Sequence, residues 1–203
     1  TLTVNVPVGA SHQPISVTVG GLTTYSSLPF NQTFTSGGTI SFNTVFSVSG
    51  SYHYIDAADL DSDGKIDIVG VEHYSPYNLY INRNNTIPGG AVTFDEVQTI
   101  TSLPAYSQRN IRLVDINGNG KKDIVVLSSD ASTTTISVFL NTTSTLGSIS
   151  FSDRVDCSIP NGWLVRNFDI ADFNLDGKPD IAVALSTRRT SMSSEDNYAI
   201  LEN

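Results

Sequence analysis

The distribution of apolar residues along the chain indicates β-strands. Short runs rich in Val, Ile, Thr, Phe and Tyr are bounded by Gly, Asn, Asp or Ser, an arrangement typical of strands and turns. No window of about 11 residues places apolar side chains at the helical spacing i, i+3, i+4, i+7 without Gly or Pro. The pattern therefore predicts an all-β fold, with its clearest strands at Ile15–Val19, Ile66–Val71, Ile124–Leu127 and Ile136–Leu140.

Three acidic segments repeat almost residue for residue, and their first residues lie about 57 positions apart. A period of this length with four strand signals fits a four-stranded blade of a β-propeller, for which periods of ~40–50 residues are typical. The sequence thus predicts a partial propeller of about three such blades. The segments are Asp59-Leu-Asp-Ser-Asp-Gly-Lys-Ile-Asp67, Asp115-Ile-Asn-Gly-Asn-Gly-Lys-Lys-Asp123 and Asp172-Phe-Asn-Leu-Asp-Gly-Lys-Pro-Asp180.

Shorter motifs recur at matching distances from each acidic segment, so the repeat extends well beyond the loop. A triplet that begins with Ile or Val and ends in Phe precedes each segment. A strand-like run that ends in Asn follows each segment. The triplets are Ile40-Ser-Phe42, Val92-Thr-Phe94 and Ile149-Ser-Phe151, and the runs are Leu79-Tyr-Ile-Asn82, Val138-Phe-Leu-Asn141 and Ala199–Asn203.

The acidic segments carry oxygen donors at positions 1, 3, 5 and 9 and a Gly at position 6. Calcium takes about six to eight oxygen ligands, and a short loop can surround it when alternate side chains point inward and a Gly permits a sharp turn. At position 7 we expect each Lys to offer its backbone carbonyl while its ammonium group extends into water. The predicted ligands of up to three Ca²⁺ ions are Asp59, Asp61, Asp63, Lys65, Asp67, Asp115, Asn117, Asn119, Lys121, Asp123, Asp172, Asn174, Asp176, Lys178 and Asp180.

Two other interpretations of these segments compete with a calcium loop between strands. An EF-hand requires a carboxylate at position 12 and flanking helices, whereas position 12 here is Gly70, Val126 or Val183 and strand formers follow each loop. Asx turns need no metal and stay open as an alternative. The recurrence of the motif in three copies in register favours metal binding. Electrostatics favours it too, because carboxylates ~5 Å apart repel by about 3 kcal/mol per pair at an effective dielectric constant of 20.

The number of carboxylates differs between the loops and predicts an order of calcium affinity. The first loop has Asp at all four ligand positions, the third has three Asp, and the second has only Asp115 and Asp123. Because carboxylates attract calcium more strongly than amide oxygens do, we expect affinity to decrease from the first loop to the third and then to the second.

The composition narrows the function classes. The 20 acidic residues outnumber the 11 Lys and Arg, giving a formal net charge of −9, which excludes nucleic-acid binding through a basic surface. The single Cys157 allows no internal disulfide and no cysteine zinc site. No run approaches the ~20 apolar residues of a membrane span, and residues 1–30 lack a signal-peptide pattern. The start at Thr1 suggests an excerpt of a longer protein.

The third segment with its neighbours, Ala171-Asp-Phe-Asn-Leu-Asp-Gly-Lys-Pro-Asp180-Ile-Ala182, resembles the motif of the FG-GAP/VCBS repeat family. The resemblance covers roughly residues 39–203. It implies a β-propeller similar to those of integrin α-subunit heads and many secreted bacterial proteins, with calcium in the loop between the first two strands of a blade. The second segment departs from the motif at Asn117 and Asn119, where carboxylates are frequent in the family.

The first thirty residues differ from the repeats in their sequence pattern. Leu2–Ala10 and Ile15–Leu22 resemble the closing strands of an immunoglobulin-like IPT/TIG domain. We therefore expect residues 1–30 to be the C-terminal part of such a domain, residues 31–38 a linker and residues 39–203 the blades. This pairing resembles modular secreted or cell-surface proteins and implies an extracellular location. Because closed propellers have ~4–8 blades, the remaining blades are expected beyond the termini or from partners.

The strand ends opposite the acidic loops form a candidate ligand-binding face. Aromatic residues and arginines recur at equivalent positions before the loops, and an aromatic ring beside a cation suits a sugar or a carboxylate. The alternative is that Trp163 packs between blades and the arginines pair with Asp169 or other nearby carboxylates. The candidate ligand-binding residues are Tyr106, Arg109, Trp163 and Arg166.

The sequence favours a binding module over an enzyme. His12, His53 and His73 are the only histidines, and none is tied by spacing to a nucleophile or to an acid–base pair. The predicted function is calcium-dependent adhesion or binding of a glycan or protein outside the cell. The alternative is the propeller part of an extracellular polysaccharide-degrading enzyme such as a lyase, because some propellers related to this family are lyases.

Overall fold

A computed structural model describes residues 14–19, 22–29, 52–101, 103–104, 108–129, 133–159, 163–187 and 196–203. The chain divides into two compact units, one comprising Thr1–Ser47 with Ile87–Ala91 and the other comprising Val48–Thr86 with Val92–Asn203. The predicted linker 31–38 and the motifs Leu2–Ala10 and Ile40–Phe42 lie outside the described residues. The described part of the chain contains no helix of the length and apolar character that a membrane span requires.

All regular elements in the described residues are β-strands, which confirms the all-β prediction. The four strands with the clearest sequence signals are each present within a residue or two of their predicted bounds. The strands are β1 (Pro14–Val19), β2 (Leu22–Pro29), β3 (Tyr52–Ala58), β4 (Asp67–Glu72), β5 (Leu79–Asn84), β6 (Phe94–Ile100), β7 (Gln108–Val114), β8 (Asp123–Ser129), β9 (Thr134–Phe139), β10 (Val155–Ser158), β11 (Trp163–Ala171), β12 (Asp180–Thr187) and β13 (Asp196–Leu201).

The strands form antiparallel sheets in which chain neighbours pair. The first and second repeats give the four-stranded sheets β3-β4-β5-β6 and β7-β8-β9-β10, and the third gives β11-β12-β13. The predicted four strands per repeat are therefore present in the first two repeats, and the third sheet has three strands within the described residues. That these sheets are the blades of a propeller stays a prediction. In each sheet, the acidic loop joins the first two strands. Strands β1 and β2 form a separate two-stranded sheet, and their assignment to an IPT/TIG domain stays a prediction.

Successive sheets of the larger unit share apolar cores. Each second strand alternates its side chains between two faces, as a strand buried on both sides must. Val69 and Val71 therefore point towards the second sheet, while Val125 and Leu127 point towards the third. The first core contains Leu60, Val69, Val71, Leu79, Ile81, Leu103, Ile111, Ile124, Val126 and Phe139, and the second contains Val125, Leu127, Ile136, Ile159, Val165, Phe168, Val183 and Leu185.

A repeated asparagine joins each of two sheets to the acidic loop of the preceding sheet. Asn141 Nδ2 donates to the backbone carbonyl of Leu60 at 2.9 Å, and Asn203 Nδ2 donates to that of Ile116 at 2.8 Å. The acceptors both occupy position 2 of their loops. The counterpart in the first repeat is Asn84. Its backbone N–H donates to the aspartate at position 9 of its own loop, as those of Asn141 and Asn203 do. The sequence comparison paired Asn82 with Asn141 instead, and this alignment was wrong.

We predict that Asn141→Ala lowers the free energy of unfolding by about 1–3 kcal/mol. The Asn141 side chain is buried and also donates to the carbonyl of Lys122, so its loss leaves two carbonyl oxygens without this donor. Chemical denaturation measures the change. The control is Ser144→Ala at an exposed position of the same segment, for which a change within about 0.5 kcal/mol is expected. Equal effects of the two substitutions would contradict the role of Asn141.

Candidate metal centre

The three acidic loops have the same backbone turn. The predicted Gly at position 6 has a positive φ in each loop, between 83° and 88°. Position 4 is also left-handed, at Ser62, Gly118 and Leu175. Only the requirement at position 6 was visible from the sequence, because Ser and Leu at position 4 do not signal a left-handed residue. The double turn directs the side chains at positions 1, 3 and 5 towards the loop amides.

Position 9 is the most buried site of each loop. The side chain of Asp67 accepts hydrogen bonds from the backbone N–H of Leu60 and of Asn84, both at 2.9 Å. Asp123 and Asp180 accept the equivalent pairs of bonds, and all three residues are 0% exposed. Burial raises the pKa of Asp67 and of Asp123 above the ordinary value of 3.8, against these hydrogen bonds. The ionised carboxylates therefore lack full compensation for their lost hydration.

In the second and third loops, the other ligand oxygens accept hydrogen bonds from the loop itself. Both oxygens of Asp115 accept backbone N–H groups, from Asn119 and from Gly120. Asp172 has the same two partners in its own loop, at Asp176 and Gly177. Positions 3 and 5 of both loops accept the amide two residues further on, which is the geometry of Asx turns, the alternative that the sequence left open. These two loops thus hold their shape through their own amides.

The first loop differs because one of its buried oxygens has no partner. Asp59 Oδ2 accepts the N–H of Gly64 at 2.9 Å, whereas Oδ1 is buried and has no hydrogen-bond partner among the described residues. One ligand atom each from Asp59, Asp61 and Asp67 lies within 4.8 Å of the others. Three carboxylates this close repel strongly, so the arrangement fits a divalent cation bound between them. These residues could hold a metal ion.

Arg83 of β5 is a charged member of the first loop's surroundings that the sequence did not identify. Its Nε donates to Asp61 Oδ2 and its Nη2 donates to Asp63 Oδ2, both at 2.7 Å. The Asp61 side chain is fully buried, and that of Arg83 is largely so. The guanidinium group thus neutralises two of the four carboxylates from the outer side of the loop.

Asp61 also connects the first loop to the second sheet. Its Oδ2 accepts the backbone N–H of Gly147 at 2.8 Å, in the turn between β9 and β10. Burial opposes ionisation of Asp61, but the hydrogen bonds from Arg83, Gly147 and Asp63 together lower its pKa below 3.8. The bond to Asp61 likewise raises the pKa of Arg83. The pair therefore stays charged, and the first loop has a fixed position relative to the second sheet.

The lysine ammonium groups at position 7 were predicted to extend into water, and each has a protein partner in the structure, although Lys178 is exposed. Lys65 Nζ lies 3.3 Å from Asp63 Oδ2 in the same loop. Lys121 Nζ donates to the carbonyl of Thr143, and Lys178 Nζ donates to that of Asn203 at 3.4 Å. Each ammonium group folds back because the third-strand end and the loop carboxylates supply acceptors within reach of its long side chain. The expected role of the position 7 carbonyls in metal binding stays a prediction.

The predicted ligand-binding residues are only partly described. Arg109 lies in β7 and Trp163 in β11, and Arg166 of β11 is exposed, while Tyr106 lies outside the described residues. The arginine that pairs with Asp169 is Arg112, at 3.2 Å, which is not one of the two arginines that the sequence proposed. The side chains of Arg109 and Trp163 lie outside the described part of the structure, and their role in ligand binding stays a prediction.

A cluster of aromatic and imidazole rings occupies the same end of the first sheet. His53 precedes the acidic loop by the same spacing as Arg166, and His73 and Tyr74 follow β4. The ring centroid of Tyr74 lies 5.2 Å from that of His53 and 4.6 Å from that of His73. The sequence pattern did not bring these rings together, because β3 and β4 pair only in the folded sheet.

Antiparallel sheets that repeat about every 57 residues, each with an acidic loop between its first two strands, define a class of repeat protein. The sequence profile of the FG-GAP-like repeat family matches residues 59–126 and 115–183, together more than half of the chain. The chain belongs to this family. Each match runs from one acidic loop to the second strand of the next sheet. Comparisons with curated protein sequences and with solved structures returned no significant match.

We predict that Arg83→Gln destabilises the metal-free protein by about 3 kcal/mol, because it removes the cation from a largely buried ion pair. A cation bound in the loop would offset part of this loss, so calcium should raise the melting temperature of the variant more than that of the parent. Thermal unfolding in EGTA and in calcium measures both effects.

The control for Arg83→Gln is Arg154→Gln, because Arg154 forms a more exposed ion pair with Asp156, at 3.0 Å. This substitution should cost at most about 1 kcal/mol. If both variants lose the same stability in EGTA, the assignment of Arg83 to the first loop's charge balance is wrong.

Proposed function

We propose that the chain is a calcium-binding repeat module of a secreted or cell-surface protein. The observation that carries the proposal is the buried Asp59 Oδ1, which lacks a hydrogen-bond partner among the described residues and faces the carboxylates of Asp61 and Asp67. A buried carboxylate oxygen without a partner is costly unless a cation binds it. Calcium suits the site because all of the side-chain donors are hard oxygens.

The charge of the first loop supports a divalent ion. Four carboxylates contribute to this loop, and the cations in contact with them are Arg83 and Lys65. This leaves two negative charges, which one Ca²⁺ ion would balance. Arg83 contacts Oδ2 of Asp61 and of Asp63, and Lys65 contacts Oδ2 of Asp63, which leaves Oδ1 of each carboxylate for a metal ion.

The second and third loops are weaker candidates by the same reasoning. Their position 1 aspartates already accept two loop amides each, and Asn replaces Asp at position 3 in both. Calcium binding there requires the oxygens to be shared between an amide and the metal. We therefore keep the predicted order of affinity, with the first loop strongest, the third next and the second weakest.

We predict that calcium stabilises the protein by about 2.7 kcal/mol per filled site at a free concentration of 100 Kd. Calorimetric titration combined with Asp59→Asn, Asp115→Asn and Asp172→Asn assigns the sites, because each substitution changes position 1 of one loop and the other two serve as its matched controls. Asp59→Asn should remove the tightest site. An unchanged melting temperature in EGTA would exclude calcium binding, and binding lost first with Asp115→Asn would reverse the order.

The calcium loops and the candidate ligand face lie at opposite ends of the same strands. Calcium therefore serves to hold the sheets together, while adhesion or binding of a glycan or protein takes place at the other end. Support comes from the His53, His73 and Tyr74 ring cluster and from the exposed Arg166. Exposed aromatic rings can stack on sugar rings, and the arginine can pair with a carboxylate.

We predict that Tyr74→Ala lowers the affinity for sugars on a glycan array at least about tenfold when calcium is present. Arg166→Ala should lower the affinity for acidic sugars by a similar factor. Phe173→Ala is the matched control, since Phe173 is an exposed aromatic residue at the calcium-loop end. Retention of sugars without turnover supports a binding module. Release of unsaturated sugars would support a lyase instead, and equal losses in all three variants would exclude the proposed face.

A further inference from the structure

The second acidic loop contains two Asn-Gly pairs, Asn117-Gly118 and Asn119-Gly120, and all four residues are exposed. An Asn that precedes Gly is prone to lose ammonia, because the backbone nitrogen of a residue without Cβ can approach the side-chain carbonyl carbon closely. In the third loop the one asparagine, Asn174, precedes Leu175, and the first loop has no asparagine. A further pair, Asn161-Gly162, lies outside the described residues. Among the three loops, only the second therefore offers this chemistry.

The turn at Asn117 matches that at Asn174, so the two asparagines can be compared directly. Each side-chain Oδ1 accepts the backbone N–H two residues further on, at 3.0 Å and 2.9 Å respectively. This donor lies where negative charge develops when a nucleophile adds to the carbonyl carbon, and it therefore favours the addition. The next residue is left-handed in both turns, with φ of 75° at Gly118 and 63° at Leu175. The chief difference is the side chain of that next residue.

The two pairs of the second loop differ in the nitrogen that would attack. The N–H of Gly118 has no hydrogen-bond partner among the described residues. The N–H of Gly120 donates to Asp115 Oδ2 at 2.7 Å, and hydrogen bonds to an ionised group are stronger than those between neutral groups. Attack on Asn119 must break this bond, whereas attack on Asn117 breaks none at the nitrogen. The fold thus favours reaction at Asn117.

We propose that Asn117 is a site of deamidation, with water as the co-reactant. The Gly118 nitrogen forms a bond to Asn117 Cγ, the Cγ–Nδ2 bond breaks, and ammonia leaves with the proton that the Gly118 nitrogen gives up. Water then opens the cyclic imide. Opening at Cγ gives aspartate and opening at the backbone carbonyl gives isoaspartate, so either product replaces the amide by a carboxylate. No oxidant or reductant takes part, because no atom changes its oxidation state.

The modification alters the charge of the second loop. Conversion of Asn117 to aspartate adds a third carboxylate to those of Asp115 and Asp123, which equals the number in the third loop. The consequence for calcium rests on the proposed function. Because carboxylates attract calcium more strongly than amide oxygens do, the second loop should then bind calcium more tightly. The loop with the fewest carboxylates thus gains affinity as the protein ages.

Peptide mapping by mass spectrometry tests the proposal on folded protein in mildly alkaline buffer with EGTA. Asn117 should deamidate at least about tenfold faster than Asn119 and Asn174. In denaturant, where the bond between Gly120 and Asp115 is lost, Asn117 and Asn119 should react at similar rates. Equal rates at Asn117 and Asn174 in the folded protein, or faster reaction at Asn119, would overturn the proposal. A preference for Asn117 over Asn119 that persists in denaturant would contradict the role of the fold.

Two reciprocal variants test the role of the next residue. Gly118→Ser should slow deamidation of Asn117 at least about tenfold. The turn accepts this change, because Ser62 holds the same position in the first loop with φ of 63° and a Cβ on Gly118 would meet nothing within 4 Å. Leu175→Gly should raise the rate at Asn174 towards that of Asn117. Circular dichroism checks that both variants fold, and an unchanged rate at Asn117 in Gly118→Ser would overturn the proposal.

Asn117→Asp tests the consequence for calcium separately. In a background of Asp59→Asn and Asp172→Asn, which weaken the other two loops, it should raise the calcium affinity measured by calorimetry at least about tenfold. Asn117→Gln is the matched control and should give no gain, because it adds no charge. The absence of a gain with Asn117→Asp would contradict the calcium consequence. The mass measurement in EGTA decides the modification itself, so the two failures are distinguishable.

Discussion

The buried aspartate at position 9 is the contact on which each repeat depends. Its two oxygens bind one amide at the start of the acidic loop and one at the end of the third strand, as in Asp123 with Ile116 and Asn141. One side chain thus closes the loop and ties it to the sheet. The same Asn141 reaches the carbonyl of Leu60 in the preceding loop. The loop geometry and the packing of neighbouring sheets are therefore linked through a single residue pair.

The first loop shows how charge and packing combine at this link. Arg83 donates hydrogen bonds to the carboxylates of Asp61 and Asp63, and the amide of Gly147 in the second sheet donates another to Asp61. The negative charge of Asp59 is the least compensated, because its Oδ1 lacks a protein partner among the described residues. A metal ion at this point would strengthen both the loop and its junction with the next sheet, since Asp61 belongs to both.

Much of the fold could be predicted from the sequence because the signals are local. The strand runs, the loop glycines and the spacing of the aspartates each depend on residues close in the chain. Two predictions failed because they depended on contacts that form only when the chain folds. Asn82 was aligned with Asn141 because both end a strand-like apolar run, whereas only the hydrogen bond to Asp67 identifies Asn84 as the equivalent residue. Lys65 was placed in water because the position of its partner Asp63 is set by the folded loop.

The sequence by itself determined the all-β class, the repeat and the set of oxygen donors, because backbone preference and turn chemistry act over a few residues. Only the tertiary structure decided how the charge of the first loop is compensated, since Arg83 and Gly147 reach Asp61 from 22 and 86 residues away. It also decided that Ile55 is exposed while the equivalent Ile111 is buried. Burial depends on which sheet lies next to a side chain, and identical strand patterns do not contain that information.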